Sequence, residues 1–365
     1  MEGTEPDNDI PPHNEDNNII ISTNRLTKVF GKLVAVNDLH LEVMRGDVFG
    51  FLGPNGSGKT TTIRMLLGLI RPTAGRAVLF GMDTAYQLPE ILQRVGAIVE
   101  MPLFYPYLSG LDNLRVIAAS SGMRLGPIND RRLEEVLDIV ELHSYENLAY
   151  RKYSLGMKQR LGIAAALLTD PELVLLDEPT NGLDPSGMIE IRRLIQRLSS
   201  LGKTIFLSSH ILYEIQQVCN RVAILQKGNL VVQGKVSELL QQSQQIELFM
   251  GNEEITQQAL LLIQEARERG MDWIHEAHIE GRRRGGVALI VHAPIQYSAE
   301  LNALLARQNL FAAELHPREG SLEELFLAAT AFAPENHMGM EALAEAPIYV
   351  SHPAETPGIG KRERA

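Results

Sequence analysis

The stretch FLGPNGSGKTTTIRMLLG at residues 51–68 constrains the fold of this chain more than any other feature. It matches the pattern G-x-x-x-x-G-K-[ST], in which glycines let backbone N–H groups turn inward around the phosphates of a nucleotide. Lys59 would neutralise the β and γ phosphates, and Thr60 offers a hydroxyl to Mg²⁺. The motif predicts a phosphate-binding loop without deciding between a kinase, a GTPase, a DNA-repair motor and a transport motor. The predicted nucleotide-binding residues of the loop are Gly53, Pro54, Asn55, Gly56, Ser57, Gly58, Lys59, Thr60 and Thr61.

Strand-like runs alternate with helical patterns through most of the chain, which predicts a parallel sheet flanked by helices. We therefore expect an α/β P-loop NTPase fold of the RecA-like type over 19–240, with a helical subdomain over about 101–165. From 246 to 332 the order βαββαβ predicts a small α+β, ferredoxin-like appendix, which a last helix, SLEELFLAATA, closes. The acidic arm 1–18 and the Pro- and Gly-sprinkled tail 333–365 are predicted to be disordered.

The totals argue against several classes of protein. The net charge of −11 disfavours a nucleic-acid partner, because neutralising phosphates needs patches of Lys and Arg. Cys219 is the only cysteine, so no intrachain disulfide can form and a reducing compartment fits best. The longest apolar run, LGIAAALL at 161–168, is far shorter than the roughly 18 residues that a membrane span needs. We expect a soluble protein without a secretory signal that docks on a membrane partner.

A second acidic motif, LVLLDEPTNGLDP at 173–185, narrows the chemistry. Its apolar run predicts a strand that delivers Asp177 to the edge of the sheet, where a carboxylate can join the Mg²⁺ shell. Glu178 follows directly, in a position to poise a water against the γ phosphate. Two adjacent acids also occur at ordinary solvated strand ends, but beside a phosphate loop the catalytic interpretation is favoured.

The stretch SLGMKQRLGIAAALL at 154–168 predicts a helix whose N-terminus, with Ser154 and Gly156, suits an anion, although an ordinary cap explains it equally well. Together, these motifs resemble the nucleotide-binding domain of ABC (ATP-binding cassette) proteins over roughly 22–240. The family signature L-S-G-G-Q is here Y-S-L-G-M, which keeps the serine and the second glycine and loses the first glycine and the glutamine. The resemblance implies that Ser154 and Gly156 cap the γ phosphate held by a second subunit's loop.

The same resemblance assigns three further residues. It implies that Phe30 stacks on adenine, that Asp184 lies in the D-loop at a dimer interface, and that His210 is the switch histidine contacting the γ phosphate. Apolar packing would explain Phe30 equally well. His210 is distinguished from the other histidines because it follows an apolar strand beyond Glu178.

Glu100 departs from the family pattern, which has a glutamine after the strand VGAIV, where it touches Mg²⁺ and the transport partner. A glutamate can still contact the metal or a water, and its effect on hydrolysis is left open. A glutamate in place of the glutamine, together with the Y-S-L-G-M signature, makes the chain similar to the exporter ATPases of bacitracin-resistance and lantibiotic-immunity systems. The ending S-L-E-E-L-F-L also resembles ABC-2-type exporter ATPases.

The resemblance implies ATP and Mg²⁺ as ligands and a homodimer that drives a separate membrane permease from the cytoplasmic face. The aromatic loop Tyr105–Pro106–Tyr107 either receives that permease or packs in the core. Arg282, Arg283 and Arg284 could touch nucleic acid or anionic lipid, but a solvated hairpin turn is favoured.

Two other functions are compatible with the motifs. A soluble ABC ATPase acting in translation or DNA repair is the main alternative, yet this chain has one phosphate loop and no sustained heptad run. A non-hydrolysing ATP-binding regulator is the other, and Glu178 and His210 argue against it.

Overall fold

The computed structural model describes residues 18–100, 104–123, 126–281 and 287–331. The arginines 282–284, almost all of the predicted acidic arm and all of the predicted tail lie outside the described residues.

A six-stranded sheet with the strand order β10-β9-β3-β8-β7-β6 forms the centre of the molecule. Neighbouring strands within this sheet run parallel, except for the antiparallel pair β9 and β10 at one edge. The runs VFGFL and LVLL are buried throughout, as expected for strands covered on both faces. The parallel sheet confirms the predicted α/β class. The strands are β3 (Val48–Leu52), β6 (Val95–Ile98), β7 (Leu173–Leu176), β8 (Thr204–Ser209), β9 (Arg221–Gln226) and β10 (Asn229–Lys235).

A second, antiparallel sheet covers one face of the central sheet, with the order β2-β1-β4-β5. Its inward residues share one core cluster with helix α1 (Lys59–Leu66) and with strands of the central sheet. Within that cluster the rings of Phe49 and Phe206 stack with their centroids 5.6 Å apart. The strands are β1 (Ile19–Phe30), β2 (Leu33–Met44), β4 (Ala74–Leu79) and β5 (Met82–Asp83).

Seven further helices accompany the strands up to residue 242 in the described part of the chain. Helices α3, α4 and α5 pack on one another beside β6 and β7, and their apolar faces form one cluster with the central sheet. No helix in the described ranges is long and apolar enough to cross a membrane. The helices are α2 (Leu88–Leu92), α3 (Gly110–Ser120), α4 (Pro127–Ile139), α5 (Leu155–Leu167), α6 (Pro185–Ser200), α7 (Leu212–Gln216) and α8 (Val236–Gln242).

The appendix has the predicted βαββαβ order. Its antiparallel sheet has the order β12-β13-β11-β14, and alternate residues of the strands face a separate core with the two helices. This is the ferredoxin-like plan. The elements are β11 (Gln245–Phe249), α9 (Glu253–Glu268), β12 (Glu276–Gly281), β13 (Val287–His292), α10 (Ser298–Ala306) and β14 (Glu314–Arg318).

The last helix, α11 (Leu322–Ala331), does not close this appendix as predicted. It packs against α7, α8 and β10 of the preceding domain. Leu322 is fully buried in the large core cluster of that domain, and Leu325 and Phe326 pack against the same cluster. The prediction was wrong because helical periodicity shows that a helix has an apolar face, but not which core receives it.

Leu322→Ala should lower the free energy of unfolding of the domain that contains the phosphate loop by ~2–5 kcal/mol, the usual cost of a large-to-small change in a packed core. Leu327→Ala, on the same helix but 59% exposed, is the matched control and should change stability far less. Urea unfolding of both variants measures the difference. Equal stabilities would show that α11 does not belong to this core.

Candidate active site

The phosphate loop occupies the turn between β3 and α1. Gly53, Gly56 and Gly58 have φ values of +154°, +81° and +108°, which favour glycine. A Cβ on Gly53 would lie 2.3 Å from the Leu225 carbonyl oxygen, and one on Gly58 would lie 2.4 Å from that of Ala35. The following helix begins without a side-chain cap, so its first backbone N–H groups point towards any anion in the loop.

Lys59 lies almost buried beneath this loop. Its Nζ donates to the carbonyl oxygens of Gly53 at 2.7 Å and Pro54 at 3.2 Å, and lies 3.2 Å from Glu178 Oε1. Ser57, also buried, has a hydroxyl oxygen with no hydrogen-bond partner among the described residues. An ammonium group and an unpartnered hydroxyl in a turn of inward-facing backbone fit the phosphates of a nucleotide.

The adjacent acids lie at the end of β7, one strand away from the end of β8. Asp177 Oδ1 accepts a hydrogen bond from Ser208 Oγ at 2.5 Å, and Ser208 Oγ accepts one from the Glu178 N–H at 2.9 Å. Glu178 has a φ of +49°, a conformation that non-glycine residues rarely adopt and that often marks functional sites. Because β7 and β8 are parallel neighbours, both strands deliver polar groups to the same edge of the sheet.

His210 completes this group of side chains. Its Nδ1 lies 2.8 Å from Glu178 Oε2, while Lys59 contacts the other oxygen of the same carboxylate. The structure therefore brings together Lys59, Asp177, Glu178 and His210, which the sequence places on three separate motifs. A carboxylate at this place beside a phosphate loop can orient a water towards a phosphate once one of its two oxygens is released.

The predicted signature residues lie at the start of α5, and their described contacts are local to it. Ser154 caps α5 by accepting a hydrogen bond from the Met157 N–H, and a Cβ on Gly156 would meet nothing closer than 4.0 Å. Buried Tyr153 anchors this end by donating its hydroxyl to the Tyr145 carbonyl oxygen at 2.8 Å, and burial raises the pKa of Tyr153 to about 12. Because a Cβ at position 156 would have room, packing within one chain does not explain why this residue is a glycine.

Asp184 caps α6 by accepting a hydrogen bond from the Gly187 N–H at 3.1 Å. Among the described residues, no hydrogen bond or ion pair links Ser154, Gly156 or Asp184 to Lys59, Glu178 or His210. The predicted signature and D-loop residues are thus outside the cluster that the phosphate loop builds.

Phe30 ends β1 on the surface, where it is 48% exposed and where the Lys28 ammonium lies 5.0 Å from its ring centroid. This exposure removes core packing as an explanation for the residue. An exposed aromatic face is suitable for stacking on a planar base.

Glu100 follows β6 with a φ of +66° and forms an ion pair with Arg64 on α1. Its side chain is 66% exposed. Glu100 thus contacts the helix of the phosphate loop, through an arginine that sequence reasoning did not single out. Helical spacing beyond Lys59 would have placed Arg64 on the loop's own helix, but not its partner.

No group of three or more His, Cys, Asp or Glu side chains in the described ranges is placed to hold a metal ion. Mg²⁺ in nucleotide sites commonly takes only one or two protein ligands and completes its shell with phosphates and waters. A hydroxyl from Thr60 and a carboxylate from Asp177 fit that requirement in the kind of ligand they offer.

Comparisons with known proteins identify the family. A model of the ABC transporter family matches residues 36–181. The bacitracin transport ATP-binding protein BcrA of Bacillus licheniformis is 42% identical over 311 residues, which cover 84% of this chain and 96% of that protein. The chain belongs to the ABC transporter ATP-binding proteins. The Nod factor export ATP-binding protein I of Cupriavidus pinatubonensis is 38% identical over 60% of this chain and 68% of its own length.

Solved structures place this ABC ATPase in the same fold. An ATP-binding subunit of an ABC transporter is 28% identical, with a TM-score of 0.53 over 60% of this chain and 91% of that one. A dimeric ATP-binding cassette in a post-hydrolysis state, bound to ADP and Pi, is 25% identical with a TM-score of 0.53, over 60% of this chain and 99% of that one. The chain is an ATP-binding subunit and an ATP hydrolase.

Sequence reasoning also missed Ser208, which bridges the two adjacent acids of this ABC ATPase. The only sequence indication is its place near the end of an apolar strand, directly before Ser209 and His210. Serines at strand ends are common, so that indication is too weak to select it.

Lys59→Ala should weaken ATP binding by about 100-fold, because hydrogen bonds to charged groups contribute about 1.5–3 kcal/mol each. Calorimetric titration with ATP measures the change, and Lys32→Ala, at an exposed position, is the control. Wild-type affinity in a folded Lys59→Ala protein would contradict the assignment of the phosphate loop.

Proposed function

We propose that this ABC ATPase works as a head-to-tail homodimer that closes around two ATP molecules and drives a separate membrane permease in export. The observation that carries the proposal is the separation of two predicted half-sites. The phosphate loop lies with Glu178 and His210, whereas the capped end of α5 has no hydrogen bond or ion pair to them in the described residues. A twofold axis would place the α5 end of one copy over the loop of the other.

In this arrangement each predicted residue has a physical task. The loop N–H groups and Lys59 hold the phosphates, and Phe30 stacks on adenine. Ser154 and Gly156 of the other copy would supply the end of a helix, with its positive dipole, to the γ phosphate. Asp184 would lie at the interface. The open space around Gly156 supports this, because a partner phosphate can approach the backbone there.

Mg²⁺ would be held by Thr60 and Asp177, with Glu100 within reach of its water shell, and it neutralises charge on the phosphates when bound. Arg64 competes for Glu100, because the two side chains form an ion pair in the structure. The hydrogen bond from Ser208 keeps the Asp177 carboxylate oriented at the strand end.

Hydrolysis would depend on a change of partner at Glu178. When phosphates attract Lys59, Glu178 loses the ammonium and keeps His210, which leaves a carboxylate oxygen to accept a hydrogen bond from water. That water would attack the γ phosphorus and give a proton to the Glu178 carboxylate, while the bond to the bridging oxygen of ADP breaks. The chain contributes positioning and electrostatics rather than a covalent intermediate.

A groove between β6 and helices α3 and α5 is the proposed contact for the permease. It has a volume of about 520 Å³, and its mixed lining includes the apolar side chains of Leu92, Phe104 and Ile117. Beside it, Tyr105 and Tyr107 are 60% and 80% exposed, so these two tyrosines are not core residues. Val99 lines the groove and directly precedes Glu100, so a permease bound there would lie one residue along the chain from a predicted metal-site residue.

Export as the direction of transport is supported by the relatives. One is named for bacitracin transport and another for Nod factor export. These names favour transport over the alternative of translation or DNA repair. The permease would hold this ABC ATPase at the cytoplasmic face of the membrane.

Glu178→Gln should retain ATP binding and lower hydrolysis by about 100-fold or more, because it keeps the shape of the side chain and removes the base. Size-exclusion chromatography with ATP and Mg²⁺ should show a trapped dimer. Glu90→Gln, at an exposed position, is the control. A Glu178→Gln protein that stays monomeric with ATP and hydrolyses it normally contradicts both the dimer and the role of this residue.

Glu100→Gln should change ATP hydrolysis by less than about tenfold, or roughly 1.4 kcal/mol in the barrier, because attraction to the metal and repulsion from phosphate oppose each other. Glu100→Ala should reduce export in cells more than it reduces hydrolysis by the isolated protein. Both rates are measured for both variants. Loss of hydrolysis in the isolated Glu100→Ala protein would make the residue catalytic instead of coupling.

A further inference from the structure

The helix α11 follows the last strand of the appendix and packs against α7, the helix that follows His210. Leu322 is buried in the ATPase core, and its backbone N–H donates to Gln216 Oε1 at 3.3 Å. Gln216 is the last residue of α7. The first residue of α11 is thus hydrogen-bonded to the last residue of α7, and the two helices pack together.

Helix α7 depends on such contacts. It has five residues and begins almost directly after His210, at Leu212. A helix of this length is not stable alone, so its position is set by what packs on it. One buried side chain, Ile215, anchors it to the central sheet beneath Gly50.

A second contact holds α7 from another direction. Glu214 accepts hydrogen bonds from Arg192 at both carboxylate oxygens, at 2.7 and 2.8 Å, and both side chains are largely buried. Arg192 belongs to α6, the helix that Asp184 caps. The segment after His210 therefore lies between one helix from the ATPase domain and one helix from beyond the appendix.

The connection between the appendix and α11 is closely packed against α8. A Cβ on Gly320 would lie 2.1 Å from Ser243 Oγ and 2.2 Å from the Leu240 carbonyl oxygen, so the chain is pressed against the end of α8. The contact of α11 is at the same time imperfect, because Glu324 Oε2 is buried without a hydrogen-bond partner in the described residues. A buried acceptor without a donor makes the packed arrangement easier to displace.

We propose that Gln216 is a positioning residue for hydrolysis, through which α11 holds α7 so that His210 stays beside Glu178. The appendix thereby sets the hydrolysis rate. When the appendix shifts, α11 moves with it, α7 loses its support, and His210 can leave its place beside Glu178. This inference rests on the proposed role of His210 in hydrolysis.

The test compares two adjacent glutamines in the full chain. Gln216→Ala removes the acceptor for the Leu322 N–H, whereas Gln217→Ala alters an exposed neighbour for which no side-chain hydrogen bond is described. We expect Gln216→Ala to lower kcat for ATP hydrolysis about fivefold, the ratio that one net hydrogen bond sets, with the Kd for ATP unchanged and the Tm lowered by no more than a few degrees. Gln217→Ala should match the wild type. Gln216→Glu keeps an acceptor oxygen and should restore most of the rate.

Two further variants, Gly320→Val and His210→Ala, distinguish a failure of this inference from a failure of the proposed role of His210. Gly320→Val forces the chain away from α8 and should lower kcat in the same direction without altering Gln216. If His210→Ala loses hydrolysis but Gln216→Ala and Gly320→Val retain wild-type kcat, the inference is overturned and the role of His210 stands. If His210→Ala hydrolyses normally, the proposed role of His210 fails and this inference fails with it. A fall in Tm with no change in kcat would assign Gln216 to structure alone.

Discussion

The buried ion pair between Lys59 and Glu178 is the interaction around which the rest of the site is arranged. An ammonium group that is almost buried needs compensation, and here one carboxylate oxygen and two loop carbonyl oxygens supply it. His210 contacts the other oxygen of the same carboxylate. Since phosphates are stronger partners for Lys59 than carbonyl groups, a nucleotide would draw Lys59 away from Glu178 and leave His210 as the partner of that carboxylate, without any new side chain having to arrive.

The sheet topology explains why these groups meet. Strands β3, β7 and β8 are parallel, so the loop after β3, the acids after β7 and the histidine after β8 all emerge at one edge. The chain bends sharply there: three loop glycines and Glu178 all have positive φ values. Such conformations persist only where the surrounding packing determines them, and here the fully buried runs of the two strands VFGFL and LVLL provide that support.

The sequence allowed the site to be predicted better than the packing. The phosphate loop and the two acids lie in short contiguous motifs whose chemistry depends on local backbone shape, so residue types and spacing are sufficient. Arg64 and Ser208 were missed because their importance comes from partners distant in sequence, Glu100 and Asp177. Helix α11 was found but placed on the wrong core, since an apolar face does not name its neighbour. The exposure of Phe30 likewise needed the structure. The roles assigned to these residues remain predictions.

Sharing a core has a consequence for the two parts of the chain. The appendix has its own apolar cluster, yet the chain that leaves it contributes Leu322 to the core of the ATPase domain. Any change that pulls α11 away exposes apolar surface in the larger domain. The free-energy cost of that exposure is proportional to the apolar area, and it opposes the change. The α11 position is therefore coupled to the stability of the region behind His210. The same residue that enters this core, Leu322, donates its backbone N–H to Gln216, so a displacement of α11 would remove apolar packing and the contact with α7 together.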